Sequence, residues 1–126
     1  MSVSIRPALP EDAGVLKALD PVVLRDPARA ELIDAWLCHD TVLVAEDAGR
    51  VIGYGVFNHA FFHQAQLDML MVHPDFRGRG IGGLLLQAFE AGRDTPKFYV
   101  TTNLTNHRMQ RLLLRRGYKA CGYIDA

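Results

Sequence analysis

The sequence predicts a mixed α/β fold, a central sheet partly antiparallel and partly parallel with helices against it. Three observations carry that expectation. Short apolar runs alternate with segments of helical period. A hairpin signal, Asp47-Ala48-Gly49, sits between two β-rich stretches. A strongly apolar strand, 66–72, enters a glycine-rich turn and then an amphipathic helix. The predicted order is β-α-α-β-β-β-α-β-α-β, within one domain spanning 1–126.

Val3 to Arg6 reads as a first strand stopped by Pro7. Pro10-Glu11-Asp12 starts a helix, with proline pre-set for the first turn and acids at the positive dipole end. Val15, Leu16 and Leu19 give it one apolar face. A second helix is expected from Ala28 to Cys38, with Leu32, Ile33, Trp36 and Leu37 as its stripe. Thr41 to Glu46 and Arg50 to Asn58 form the hairpin, where Gly49 takes positive φ. Ala60 to Gln64 reads as a loop. Gln66 to Val72 is apolar enough to be covered on both faces and carries one acid, Asp68. His73-Pro74 ends it. Ile81, Leu84, Leu85, Ala88 and Phe89 then recur at helical spacing as far as Gly92. Lys97 to Thr102 is a strand, Asn106 to Arg116 a helix and Tyr118 to Ile124 a last strand.

Composition excludes several classes. At 126 residues, 49% hydrophobic and 22% charged, the chain can bury a core without staples. With 14 basic and 14 acidic residues its net charge is zero, so neither nucleic acid nor an anionic membrane is an expected partner. No run approaches the ~20 apolar residues of a membrane span, and the N-terminus lacks a signal-peptide pattern. Cys38 and Cys121 match no metal spacing and read as two buried free thiols in a reducing, cytoplasmic compartment. His59 and His63 lack an accompanying Cys or acid cluster, so no metal is expected.

The segment Arg77 to Gly83 holds Gly78, Gly80, Gly82 and Gly83. Glycine at that density costs up to about 1 kcal/mol per residue inside an element. A turn whose bare amides and helix N-terminus face an anion explains the expense, and Arg77 and Arg79 reinforce it. Gly78-x-Gly80-x-x-Gly83 also spells the dinucleotide fingerprint, but Thr101, Thr102 and Asn103 stand where that fold needs an acid. No Gly-Lys-Ser/Thr closes a P-loop.

Arg77-Gly78-Arg79-Gly80-Ile81-Gly82 satisfies the Q/R-x-x-G-x-G/A motif, and the flanking LMVHPDFRGRGIGGLLL resembles the GNAT N-acetyltransferases. VTTNLTNHRMQRLLLRRGYKACGYI is similar to that family's other core segment, with Asn106 in the place of its asparagine. The resemblance spans almost the whole chain. It implies the GNAT fold and acetyl-CoA as co-substrate, held where two parallel strands part. Pantetheine would pair with backbone near Leu70, Met71 and Val72. Pyrophosphate would sit on Arg77, Gly78, Arg79, Gly80, Ile81, Gly82 and Gly83. Asn106 would bond the pantetheine arm or the adenine end, and an N–H near Met71 would meet the thioester oxygen.

By the same resemblance the acceptor is an amine, small or peptidic, and Asp68 is the candidate general base; a plain strand-end acid is the competing reading of that residue. Leu113 stands where many relatives carry a general-acid tyrosine. Phe57, Phe61 and Phe62 line an acceptor pocket or pack in the core. Arg108 and Arg111 reach a CoA phosphate or form a solvated helix face. The chain stops at Ala126, where many relatives add a strand, so either the sheet ends early or a partner copy, as in a homodimer, covers its edge. The rival function is a GNAT-like module that senses acyl-CoA without turnover.

Overall fold

The computed structural model describes residues 2–61, 63–102 and 106–120, with the side chains of 60 and 61 not described. Strand β1 (Val3–Pro7) leads through a 3₁₀ turn (Pro10–Asp12) into α1 (Ala13–Leu19), α2 (Val22–Arg25) and α3 (Ala28–His39). Then follow β2 (Thr41–Asp47), β3 (Arg50–Phe61), β4 (Gln64–Val72), a 3₁₀ turn (Pro74–Phe76), α4 (Ile81–Gly92), β5 (Phe98–Val100) and α5 (His107–Arg115). The sheet order is β1-β2-β3-β4-β5, antiparallel throughout except for the parallel β4–β5 pair. The mixed α/β expectation is met.

Alternation along β3 and β4 divides the core between two faces. Tyr54, Val56, Met69 and Met71 pack with Leu16, Leu19, Ile33 and Trp36 of α1 and α3. Phe57, Leu67, Leu70 and Val72 pack with α4 and α5 through Ile81, Leu85, Leu86, Phe89 and Leu113. Gly55 is required by this closeness: a Cβ there would stand 2.5 Å from Cε2 of the buried Phe89 ring. Gly55→Ala is therefore expected to lower unfolding free energy by about 1–3 kcal/mol in urea titration. A loss below half a kcal/mol would show that the ring has room to retreat.

Several sequence expectations need correction. Val15, Leu32 and Leu84 are exposed, each at the rim of its helix's stripe; Leu86, unselected by the period, is fully buried instead. Cys38 is exposed, because it falls on the face of α3 away from Ile33 and Trp36; Cys121 lies outside the described residues. The expected loop 60–64 is mostly strand. Phe61 pairs with Gln64, and His63 makes the tight reversal at φ 61°. Helix α2 has no apolar period to reveal it and is bracketed by Pro21 and Pro27. Tyr118–Ala120 are not strand, and the remainder of the expected last strand, like Phe62 and Asn103, lies outside the described residues.

At the start of α1, Asp12 accepts two bonds from Arg6 (2.8 and 3.1 Å) and one from the Leu9 amide (2.7 Å). The Arg6 bonds, opposed by burial and assisted by the Leu9 amide, hold its carboxyl below the usual aspartate range. A native carboxyl of lowered pKa binds fewer protons than the unfolded one, so its stabilisation is whole above the unfolded value of about 3.9 and fades as pH falls through the native value. The stability gap between wild type and Asp12→Asn should accordingly shrink as denaturation is repeated below about pH 4. A gap constant from pH 6 to pH 2 would exclude this coupling.

Candidate functional site

The parallel ladder between β4 and β5 is short. Ala65, Gln66 and Leu67 pair with Phe98, Tyr99 and Val100, and β4 then continues to Val72 with no β5 partner among the described residues. On its other side β4 follows β3. The His73 amide donates to the Ile52 carbonyl at 2.8 Å, so Met71, two residues back, also directs its backbone at β3. Leu70 and Val72 point theirs the opposite way, into the gap. The Met71 backbone is thus engaged with β3, while the residue still lines the gap beside Leu70 and Val72. Arg77 Nε donates to the outward Val72 carbonyl at 3.1 Å.

The turn after β4 builds the floor. His73 Nδ1 accepts from the Asp75 amide at 3.1 Å and holds the 3₁₀ turn. Gly78 (φ 79°) and Gly80 (φ 80°) are left-handed, which glycine alone adopts without strain. Gly80 caps α4, and a Cβ on it would meet nothing within 4 Å. Gly82 is tight for a different reason: its missing Cβ would stand 3.3 Å from Leu112 of α5. The first amides of α4 have no intrahelical partner and face an open site.

One cleft of about 970 Å³ gathers these parts. Its lining joins Leu70, Met71 and Val72 to Arg77, Gly78, Gly80, Ile81, Gly82 and Gly83, and adds Asn106, Arg108, Arg111 and Arg115 from the α5 side. Among the described residues no Asp or Glu lines it, so four arginines create a local positive field in a chain of zero net charge. Arg108 and Arg111 thus border the cleft. Arg79 does not line it; its guanidinium lies over the Phe76 ring at 5.1 Å. Asn106 Oδ1 accepts from the Met109 amide at 3.1 Å as the N-cap of α5, a structural duty its sequence motif did not announce.

Asp68 is placed elsewhere. Val56 pairs with Met69 and Phe57 with Leu67, so Asp68 is the extra residue of a β-bulge and its side chain is exposed. Asn58 Nδ2 reaches it at 3.5 Å and also donates to Asp40 at 3.2 Å, while Asn58 Oδ1 accepts from Gln66 Nε2 at 2.9 Å. No motif flagged these three neighbours, which meet only through strand register. Leu113 is buried against the sheet. Tyr118 donates to Glu90 at 2.9 Å, and burial, then that carboxylate, push its hydroxyl above the ordinary range. Phe57 is core, stacked on Phe89 and Phe98. His59 sits on β3 and pairs with Asp94 at 2.6 Å. Among the described residues no group of three or more His, Cys, Asp or Glu could hold a metal, and no helix is long and apolar enough to cross a membrane.

Residues 15–118 match the acetyltransferase (GNAT) family. The chain belongs to the GNAT family. Solved structures share the fold. A GNAT-family acetyltransferase from Bacillus cereus is 21% identical, with a TM-score of 0.89 over 99% of this chain and 88% of that one. A ribosomal-protein-alanine N-acetyltransferase from Brucella melitensis is 19% identical, with a TM-score of 0.76 over 99% of both chains. The aminoglycoside N-acetyltransferase AAC(6′)-Iy in complex with CoA is 18% identical, with a TM-score of 0.80 over 99% of this chain and 93% of that one. In this GNAT chain the cleft and the bulged strand lie side by side on β4.

Proposed function

We propose that this GNAT chain moves the acetyl group of acetyl-CoA to a primary amine by direct attack in a ternary complex. The observation that carries the reading is the continuous run of outward backbone from Leu70 and Val72 into the bare amides of α4, inside one cleft that no described Asp or Glu lines. Pantetheine is amide-bearing and slim, so it adds to the uncovered edge of β4 as a short strand would. Arg77 releases the Val72 carbonyl as that happens. Pyrophosphate rests on the amides of 79–83 at the positive end of α4, with Arg77 beside it. Arg108, Arg111 and Arg115 offer charge to the remaining phosphate, and Asn106 has its NH₂ group to offer the arm beside it.

The outward Leu70 amide, rather than that of Met71, is the donor for the thioester oxygen as it gains charge. An amine of ordinary pKa ~10.4 is protonated at neutral pH, and its neutral form costs roughly 4–5 kcal/mol. Asp68, on the bulge just before Leu70, removes the proton directly or through water. The leaving thiolate has an ordinary pKa of ~8.5 and needs little help, so Leu113 in the tyrosine position is compatible with turnover. The acceptors in the relatives' own names, a ribosomal protein's alanine and aminoglycosides, make peptide N-termini and amino sugars the first amines to try.

The test is free-thiol release from acetyl-CoA with an alanine-terminated peptide, neamine and a simple alkylamine. Turnover on at least one is expected, and Asp68→Asn should lower its kcat by about a hundredfold or more. Thermal stabilisation by CoA without thiol release on any amine would favour an acyl-CoA sensor instead; no stabilisation by CoA would eliminate both.

A further inference from the structure

We propose that Asn58 is a positioning residue for Asp68: its side-chain amide, turned by the buried Gln66, aims the bulge carboxylate toward the acceptor. This rests on the base reading of Asp68 given above. The bulge leaves Asp68 without a cross-strand neighbour, so the strand pairing alone does not fix its side chain. Asn58 supplies the missing constraint. Its Oδ1 accepts from Gln66 Nε2 at 2.9 Å, and Gln66 is 7% exposed. That bond decides the orientation of the amide. With Oδ1 committed to Gln66, Nδ2 must face the carboxylates of Asp40 (3.2 Å) and Asp68 (3.5 Å); the flipped amide would set oxygen against two anions and nitrogen against a donor.

The Asp40 backbone is anchored, because its amide closes α3 onto the Trp36 carbonyl at 2.8 Å. One nitrogen thus links a carboxylate at the end of α3 to the one on the bulge. Contacts that serve catalysis are often long without reactants and tighten when they bind, and the 3.5 Å spacing fits that pattern.

The experiment is a set of kinetic comparisons with acetyl-CoA and the amine of the three above that is turned over fastest. Asn58→Ala should lower kcat about tenfold while leaving KM for acetyl-CoA unchanged, since misaiming a catalytic group costs rate rather than cofactor binding. Asn58→Asp matches the native size but replaces the N–H donor by a third carboxylate, so it should be slower than Asn58→Ala. A space-filling role predicts the reverse order. Gln66→Met keeps the volume of a buried residue while freeing the Asn58 amide to turn, and should give an intermediate loss even if Asn58→Ala does not fold. In an Asp68→Asn background all these losses should vanish, because Asn58 acts through Asp68.

The inference is overturned if Asn58→Asp is as active as Asn58→Ala or better, or if the losses add to that of Asp68→Asn. Should Asp68→Asn alone keep full kcat, or no amine be turned over, the base reading fails and this one with it. Should Asp68→Asn lose activity while the Asn58 and Gln66 variants keep theirs, only the role of Asn58 is refuted.

Discussion

Replacing Asp20 by alanine is expected to destabilise the protein by about 3–5 kcal/mol, more than any other single change considered. The Asp20 side chain is 0% exposed. It accepts from the Tyr54 hydroxyl at 2.7 Å, the Val22 amide at 3.0 Å and Arg29 Nη1 at 3.1 Å. Burial raises the Tyr54 hydroxyl well above its ordinary pKa, with the Asp20 hydrogen bond adding to the effect, so tyrosine stays a neutral donor. Arg29 meanwhile lies over the Trp36 ring at 5.6 Å. Alanine at 20 would leave a partly buried guanidinium and a buried hydroxyl unmatched, and both must then find water or move. Tyr54→Phe removes one donor and leaves the ion pair, so it should cost only about 1–2 kcal/mol. Guanidinium denaturation of the three proteins measures this ranking. If Asp20→Ala loses less than Tyr54→Phe, the cluster is not holding α1, α2 and α3 onto the sheet.

The second large effect is on the cofactor. Gly82→Glu is expected to weaken CoA binding by a hundredfold or more, because like charge placed against a bound phosphate costs several kcal/mol, about tenfold in Kd per 1.4 kcal/mol. Gly82 suits the test better than Gly80: its backbone is not left-handed, so a side chain adds no φ strain there. The Cβ would come within 3.3 Å of Leu112 Cδ2, a side-chain methyl that can give way. Gly83→Ala serves as a control. Its Cβ would meet only Arg116 Nη1 at 3.9 Å, an ordinary contact, and affinity should change little. Titration calorimetry with CoA on variants whose circular dichroism matches wild type decides it. Unchanged affinity in folded Gly82→Glu would remove the phosphate role of the turn.

Much of this is legible in the sequence because glycine and periodicity leave strong traces. Glycines at 78, 80, 82 and 83 announced a turn shaped for an anion, and two of them do adopt left-handed φ. The apolar run before them announced a strand covered on both faces, as Met69 and Met71 on one side and Leu70 and Val72 on the other bear out. What stayed hidden depends on partners distant in sequence. Nothing in the local sequence marks Asp20, since its burial comes from Tyr54 and Arg29 closing over it. Asn58 and Gln66 sat inside apolar strands without a motif, and only the pairing of β3 with β4 brings them together. The stripe residues Val15, Leu32 and Leu84 misled because period marks a sector of a helix, whereas the neighbouring elements decide how much of that sector is covered. Which way the Met71 peptide faces is likewise information that an apolar letter does not carry.

The parting of β4 from β5 has a consequence for solubility as well as for chemistry. A bare sheet margin will accept any extended polypeptide, and such margins seed fibres when they are long and flat. Among the described residues the unpaired stretch of β4 is only a few residues long, begins at the Asp68 bulge, and its last carbonyl is stoppered by the guanidinium of Arg77. On the function proposed above, such a short stretch suffices for a thin amide-bearing tail and is too brief for a neighbour's strand to zip along.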